Sequence, residues 1–249
     1  MDENEPQKTR SSLQKIEKIF DRPWRFHGLL IMKVDSSGYL GSGALIGDRY
    51  VLTAAHNYMN PKLGRTPEKI TFYAGYNNKQ YIGEAEAKCI AVHRSWIETY
   101  KTPSPDYSSD IAVITLKTPI NLNGESLAGQ ALGHFGVISP SGISDILNLT
   151  GYPQLQGDPS MYNVELSNIQ IKEGKLSYNT STFSGQSGGN IWGDNHQNEF
   201  HCLAVHSHSD SELNSRGFGA SLDVEKIKWI KGKMRPQDGM CNYGEHFSN

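Results

Sequence analysis

Three reactive side chains, each set against an apolar run or a glycine cluster, constrain this chain more than anything else in it. Leu52-Thr53-Ala54-Ala55-His56 closes an apolar strand beginning near Ala44, and Asp110-Ile111-Ala112-Val113-Ile114 opens another. Further on, Thr182-Phe183-Ser184-Gly185-Gln186-Ser187-Gly188-Gly189 holds a serine among glycines. A serine hydroxyl is a weak nucleophile near neutral pH and needs a histidine to take its proton and an acid to orient that histidine. Taken alone, a glycine-rich serine run is more often a turn than a nucleophile. With the other two runs upstream, Ser187, His56 and Asp110 become the candidate nucleophile, base and acid. Asp106 is the alternative acid, but polar residues rather than a strand follow it, so Asp110 is preferred.

Many short apolar stretches separated by turn signals predict antiparallel barrels. Strands are expected at Leu29–Val34, Ala44–Ala55, Ile70–Ala74, Ala87–Val92, Ile111–Leu116, Ile146–Gly151, Asn163–Ile171, Gly189–Trp192 and Cys202–His206. Residues 103 to 109 read as an exposed loop delivering Asp110 into the core. Asp223 can cap a helix from Val224 to about Met234, stopped by Pro236, with Val224, Ile227, Trp229 and Ile230 as its apolar face. Leu13, Ile16, Ile19 and Phe20 also recur at helix-like spacing, as a packing stripe of an N-terminal arm.

The predicted fold is all-β, with two antiparallel six-stranded β-barrels and a C-terminal helix. The expected divisions are an arm over 1–26, a first barrel over 27–125 carrying His56 and Asp110, a second over 126–234 carrying Ser187 and the helix, and a tail over 235–249. The linker falls within 117–142, which is rich in turn formers and poor in periodicity. The site would then lie between the barrels. Gly-x-Ser-x-Gly also describes the nucleophile elbow of α/β-hydrolases, the enzymatic alternative. An elbow needs a helix straight after the serine and the order Ser, acid, His. Asp210 and His246 would have to supply that order, but Gly188-Gly189-Asn190-Ile191-Trp192 reads as a short strand, and no alternation of strands and amphipathic helices follows.

Composition excludes several classes of function. The 249 residues carry a net charge of −2, with scattered Lys and Arg balanced by acids, so no nucleic-acid partner is expected. No apolar run approaches the roughly 18 residues of a membrane span; the longest, Ala44 to Ala55, is broken by Gly47-Asp48-Arg49. Cys89, Cys202 and Cys241 allow one bridge at most, and Cys89 reads as a buried free thiol. His206 and His208, two apart on a strand with His196 and His201 nearby, resemble a metal pair, yet no further acid or cysteine stands at zinc spacing. Neither metal nor cofactor is expected, and His208 reads as an exposed loop residue.

The order His, Asp, Ser is that of the chymotrypsin-like enzymes. Several motifs narrow the resemblance: Leu149-Thr150-Gly151-Tyr152-Pro153 before the serine loop, Gly185-Gln186-Ser187-Gly188 within it, Leu203-Ala204-Val205-His206 after it, and the C-terminal helix. In these the chain resembles the chymotrypsin-fold glutamyl endopeptidases of the staphylococcal V8 and bacillary type. The run Thr9-Arg10-Ser11-Ser12 is similar too, though short. Many animal serine proteases place a bridged cysteine directly after the catalytic histidine, where this chain has Asn57.

The resemblance implies a serine endopeptidase that works through an acyl-enzyme. The backbone N–H groups of Gly185 and Ser187 would form the oxyanion hole, and Ser207 would support Asp110, unless it is a solvated strand-end serine. Trypsin-like enzymes select Lys or Arg with an aspartate six residues before the nucleophile, where Ser181 stands here. Thr182, His206 and Ser209 fall where glutamyl endopeptidases receive a substrate carboxylate, which implies cleavage after Glu and less readily after Asp. Gln186 replaces the aspartate that pairs with a new N-terminal amine in trypsin-like zymogens. Expected partners are a protein or peptide substrate, with the chain a monomer. The resemblance implies secretion, although Met1–Pro6 shows no secretory signal, and work inside the cell stays open. A catalytically silent binding module on the same fold is the non-enzyme alternative.

Overall fold

The structure, a computed structural model, describes residues 12–121, 132–140, 146–180, 182–195, 197, 199–210 and 216–234. Expectations that fall on Thr9 to Ser11, residues 122–131 and 141–142 of the linker, Ser181, His196, Pro236, Cys241, His246 and the tail lie outside these residues.

The described chain begins with a two-residue strand β1 (Gln14–Lys15) and no helix. The apolar stripe of the arm is real, but its backbone hydrogen bonds go to another strand, so tertiary pairing overrides the helical spacing. Ile19 is buried beside Leu29, Tyr152 and Met161, whereas Phe20 is exposed.

Six strands then close a barrel: β2 (His27–Val34), β3 (Ser37–Gly47), β4 (Tyr50–Thr53), β5 (Lys69–Ala74), β6 (Gly83–Val92) and β7 (Ala112–Leu116), ordered β2-β3-β4-β7-β6-β5. The run Ala44–Ala55 is two strands and not one, because Asp48-Arg49 turns the chain back between β3 and β4. The unbroken apolar character of Ile111–Leu116 has a direct cause. Alternate residues of a strand face opposite sides, and here both sides are core: Ala112, Ile114 and Leu116 fill the barrel, while Ile111 and Val113 pack outward against the second half. The short helix α1 (Arg94–Thr99), absent from the sequence expectations, buries Trp96 in the first core.

The second half holds β8 (Gly136–Val137), β9 (Asn148–Gly151), β10 (Tyr162–Glu165), β11 (Gln170–Lys172), β12 (Lys175–Tyr178), β13 (Asn190–Asp194), β14 (Phe200–Ser209) and β15 (Gly217–Ser221). With β1 they make a nine-stranded sheet, ordered β1-β10-β9-β13-β14-β15-β12-β11, with β8 parallel to β14. This second ladder runs unbroken from β1 to β11 and does not close on itself among the described residues. The stretch expected as one strand, Asn163–Ile171, is interrupted after Glu165, and Asn168 has a left-handed φ of 52°. In that gap Asn179 N–H donates to the Ser167 carbonyl at 2.9 Å.

Helix α2 (Val224–Lys233) is capped by Asp223, whose carboxylate accepts the Lys226 N–H at 2.8 Å. Ile230 is buried and Ile227 and Trp229 pack beside it, but Val224 is 59% exposed and does not belong to the apolar face. The element directly after Ser187 is strand β13 and not a helix, and the sheets are almost wholly antiparallel, so the α/β-hydrolase alternative is excluded. Cys202 is a buried thiol, whereas Cys89, expected to be buried, is only half-buried.

Candidate active site

His56 sits in a 3-10 turn, Ala55–Asn57, directly after β4, and Asp110 follows a second such turn, Tyr107–Ser109, directly before β7. Strands β4 and β7 are hydrogen-bonded neighbours, so the two residues meet at one end of the barrel. Asp106 is occupied elsewhere: it caps the second turn, accepting from the Ser108 N–H at 3.1 Å and the Ser108 hydroxyl at 2.6 Å. Asp110 is fully buried. Its Oδ1 accepts the His56 backbone N–H at 2.8 Å, and its Oδ2 lies 2.6 Å from His56 Nδ1. The Ser207 hydroxyl donates to the same Oδ2, and Ser207 is buried, so it is not a solvated strand-end residue.

Burial pushes the Asp110 carboxyl upward, but the neighbouring His56, the Ser207 hydroxyl and the His56 N–H outweigh it and hold the group below its ordinary value. An ionised carboxylate only accepts, so His56 carries its ring proton on Nδ1 and leaves Nε2 free as a base.

The serine loop joins β12 to β13, yet much of its bonding is to the first barrel. The Ser187 carbonyl accepts from Ser42 N–H at 2.8 Å and from Asn57 Nδ2 at 2.9 Å. Ser42 Oγ donates to the Gly185 carbonyl at 2.8 Å and accepts the Tyr152 N–H at 2.9 Å. Thr53 Oγ1 ties the group together, donating to the Ser42 carbonyl at 2.7 Å and accepting from Asn57 Nδ2 at 2.9 Å. The sequence reading missed Ser42 altogether and saw Asn57 only for the cysteine it replaces. The signal was the run Gly41-Ser42-Gly43-Ala44: small residues inside a strand mark close backbone approach.

Two loop glycines have left-handed φ, 88° at Gly185 and 84° at Gly188. A Cβ at Gly185 would stand 2.4 Å from the Tyr152 carbonyl, and one at Gly188 would stand 2.2 Å from both the Ser42 carbonyl and Thr53 Oγ1. Only glycine satisfies both conditions. The backbone N–H groups of Gly185 and Ser187 have no acceptor among the described residues. The Gln186 amide braces the loop, its Oε1 accepting the Phe183 N–H at 2.7 Å. The Ser187 hydroxyl donates to the Ser207 carbonyl at 3.3 Å rather than to His56.

A cavity of about 520 Å³ opens over these groups, lined among others by His56, Ser187, Thr182, His206, Ser209 and His208. Thr182 and His206 are buried, and Ser181 lies outside the described residues. His206 Nδ1 is 2.5 Å from the Tyr178 hydroxyl. The same Nδ1 lies 3.2 Å from the Phe218 carbonyl. Burial raises Tyr178 well above its ordinary value, so this phenol is neutral. Burial, with lesser effects of His208 and His56, holds the His206 ring down to about 3, so it is neutral in the open cavity. His208 is not the exposed loop residue expected: it lies in β14, half-buried, between the rings of Tyr107 and Phe218. Among the described residues no three His, Cys, Asp or Glu side chains gather as a metal ion would require.

The Trypsin family matches residues 21–230. The complement C1r-B subcomponent of Mus musculus is 32% identical over 94 residues, which is 35% of this chain and 13% of that protein. The complement C1r-A subcomponent of Mus musculus is 28% identical over 123 residues, 42% of this chain and 16% of that protein. The match therefore spans only a small part of these curated relatives. Among solved structures, a Glu endopeptidase in complex with MPD overlays with a TM-score of 0.71 at 20% identity, covering 90% of this chain and 97% of that one. The protease Anisep from Arthrobacter nicotinovorans overlays with a TM-score of 0.66 at 18% identity, covering 88% and 98%. At such identities the overlays speak for the fold alone, whereas the family match runs through both halves of the molecule and across the cavity between them: the chain belongs to the Trypsin family.

Proposed function

We propose that this chain is a serine endopeptidase in which Ser187 attacks the substrate carbonyl, His56 takes and returns the proton, and Asp110 orients the imidazole and stabilises its cation. One observation carries this: a fully buried, ionised Asp110 holds His56 by both its backbone and its ring, at the rim of a cavity that also receives Ser187. The Ser187 hydroxyl must turn from the Ser207 carbonyl toward His56 Nε2. Catalytic hydrogen bonds in an empty site are commonly loose and tighten when substrate arrives. The unoccupied N–H groups of Gly185 and Ser187 would receive the developing oxyanion, each such donor contributing on the order of 10²-fold in rate.

The preferred residue before the cut is Glu, then Asp. Thr182 and Ser209 offer hydroxyls and His206 a neutral ring, all bordering the cavity. A carboxylate entering there would draw a proton onto His206, turning a neutral contact into an ion pair. Hydrogen bonds to a charged group are worth about 1.5–3 kcal/mol. Peptides with Glu before the cut should therefore exceed their Gln counterparts by roughly 10- to 100-fold in kcat/KM.

The test is hydrolysis of matched fluorogenic peptides carrying Glu, Asp, Gln, Lys, Phe or Ala at that position, by this chain and by Ser187→Ala. Cleavage after Glu, lowered on the order of 10⁶-fold by the substitution, is the expected result. Cleavage after Lys or Phe would keep the triad and remove the pocket assignment. Survival of every peptide would favour the binding module.

A further inference from the structure

The Ser207 hydroxyl has one proton, and it is spent on Asp110 Oδ2. His208 Nδ1 lies 3.1 Å from the same Ser207 oxygen, which can then only accept. His208 must therefore carry a proton on Nδ1 even when neutral, leaving Nε2 to take up a second one. A continuous chain results: His208 Nδ1–H to Ser207 Oγ–H to Asp110, with His56 on the other side of that carboxylate. The His208 ring is also held by two aromatic rings, Tyr107 at 4.1 Å between centroids and Phe218 stacked at 5.1 Å and 18°. Tyr107 belongs to the turn that delivers Asp110, so one imidazole joins the strand bearing Ser207 to the turn bearing the acid.

We infer that His208 is a positioning residue for the triad, holding the Ser207 hydroxyl on Asp110 and, on taking its second proton, weakening the ability of His56 to become a cation. This rests on the endopeptidase reading above. Atoms balance simply: one proton from solvent adds to His208 Nε2, and no bond to the ring is otherwise made or broken. The new charge has two effects of the same sign. It repels a proton on His56, and it strengthens the pull of Ser207 on Asp110, drawing negative charge away from the imidazole. Among the described residues, the titratable or charged groups near His208 are Asp110 and Tyr107 beside β7, His56 after β4, His206 on its own strand, Lys175 on β12 and Arg216, whose guanidinium lies over Phe218. Burial, followed by smaller opposing effects of Asp110 and of His56 and Lys175, keeps His208 below the ordinary imidazole value, so it is neutral at pH 7. The second proton therefore arrives on the acid side of the ordinary imidazole value.

Two readouts on the whole chain test this: nitrogen-15 NMR titration of the histidines, and the pH dependence of kcat and KM on the best peptide. They are applied to the wild type, His208→Phe, His208→Asn and Ser187→Ala. Phenylalanine keeps the stacked ring without a donor, and asparagine supplies a donor that does not titrate. In His208→Phe the His56 midpoint should rise by roughly 0.3–1 pH unit. The acid limb of log kcat/KM should fall from a slope above one to one, and kcat at the optimum should drop roughly 3- to 10-fold with KM within about twofold. His208→Asn should restore kcat while keeping the slope of one. An unchanged His56 midpoint and limb in a folded His208→Phe would overturn the inference. Peptide cleavage that survives Ser187→Ala would instead sink the endopeptidase reading, and the NMR titration would then decide the coupling by itself.

Discussion

Asn57 is buried, and a single amide nitrogen on it serves two acceptors, the Ser187 carbonyl and Thr53 Oγ1. It pins the loop bearing Ser187 to the turn bearing His56. Asn57→Ala should lower kcat by roughly 10- to 100-fold through a small displacement of Ser187. It should lower stability by about 1–2 kcal/mol, measured by urea unfolding, because a buried carbonyl loses a donor. This residue stands next to His56 in the sequence, yet its role was not legible there. A reactive side chain announces itself by type and flanking pattern, as His56, Asp110 and Ser187 do. A residue that works by reaching across a fold does not: Ser42 Oγ meets the Gly185 carbonyl from 143 positions away. Tyr178, whose hydroxyl meets His206 Nδ1, was silent for the same reason.

Among the elements, β7 was readable because both its faces meet core, and β2 and β5 because Leu30, Met32, Ile70, Phe72 and Ala74 alternate into one barrel. The strand β15 was not, since Gly217-Phe218-Gly219 looks like a turn. Its glycines answer to packing: a Cβ at Gly217 would stand 2.3 Å from the Tyr178 ring, and one at Gly219 would stand 2.8 Å from the Val205 carbonyl. The same distinction between backbone and space can be measured in the serine loop. Gly64 and Gly188 both have positive φ, 69° and 84°, but nothing lies within 4 Å of a Cβ at Gly64. Gly64→Ala should cost about 1–2 kcal/mol, the left-handed backbone term alone. Gly188→Ala should cost clearly more in the same urea titration, because it also drives a methyl into the Ser42 carbonyl and Thr53. Equal costs would mean that the loop can back away from the first barrel.

At the scale of the whole molecule, His27 lies fully buried between the two halves, against Trp24, Phe135 and Trp192, with neither ring nitrogen hydrogen-bonded. Burial holds it down to about 3, while an unfolded chain would titrate near 6.5. The folded state keeps it neutral, so its contribution to stability is present above pH 6.5 and is lost as the pH falls from there toward 3. Within that window each such histidine steepens the loss by about 1.4 kcal/mol per pH unit, and His206, also held to about 3, acts in the same direction. His27→Phe should therefore flatten the pH dependence of unfolding between pH 6 and 4 by about that slope. An unaltered slope would mean that His27 reaches solvent. The two-barrel outline was legible because apolar runs and turn signals repeat along the chain, whereas the cross-barrel clamp was not. That clamp has a consequence for anyone who would shuffle genes within this family. The loop bearing Ser187 is encoded with one half and fastened by Ser42, Thr53 and Asn57 of the other, so the halves are a lock cut to its own key. A hybrid that swaps one half alone inherits a nucleophile with no seat.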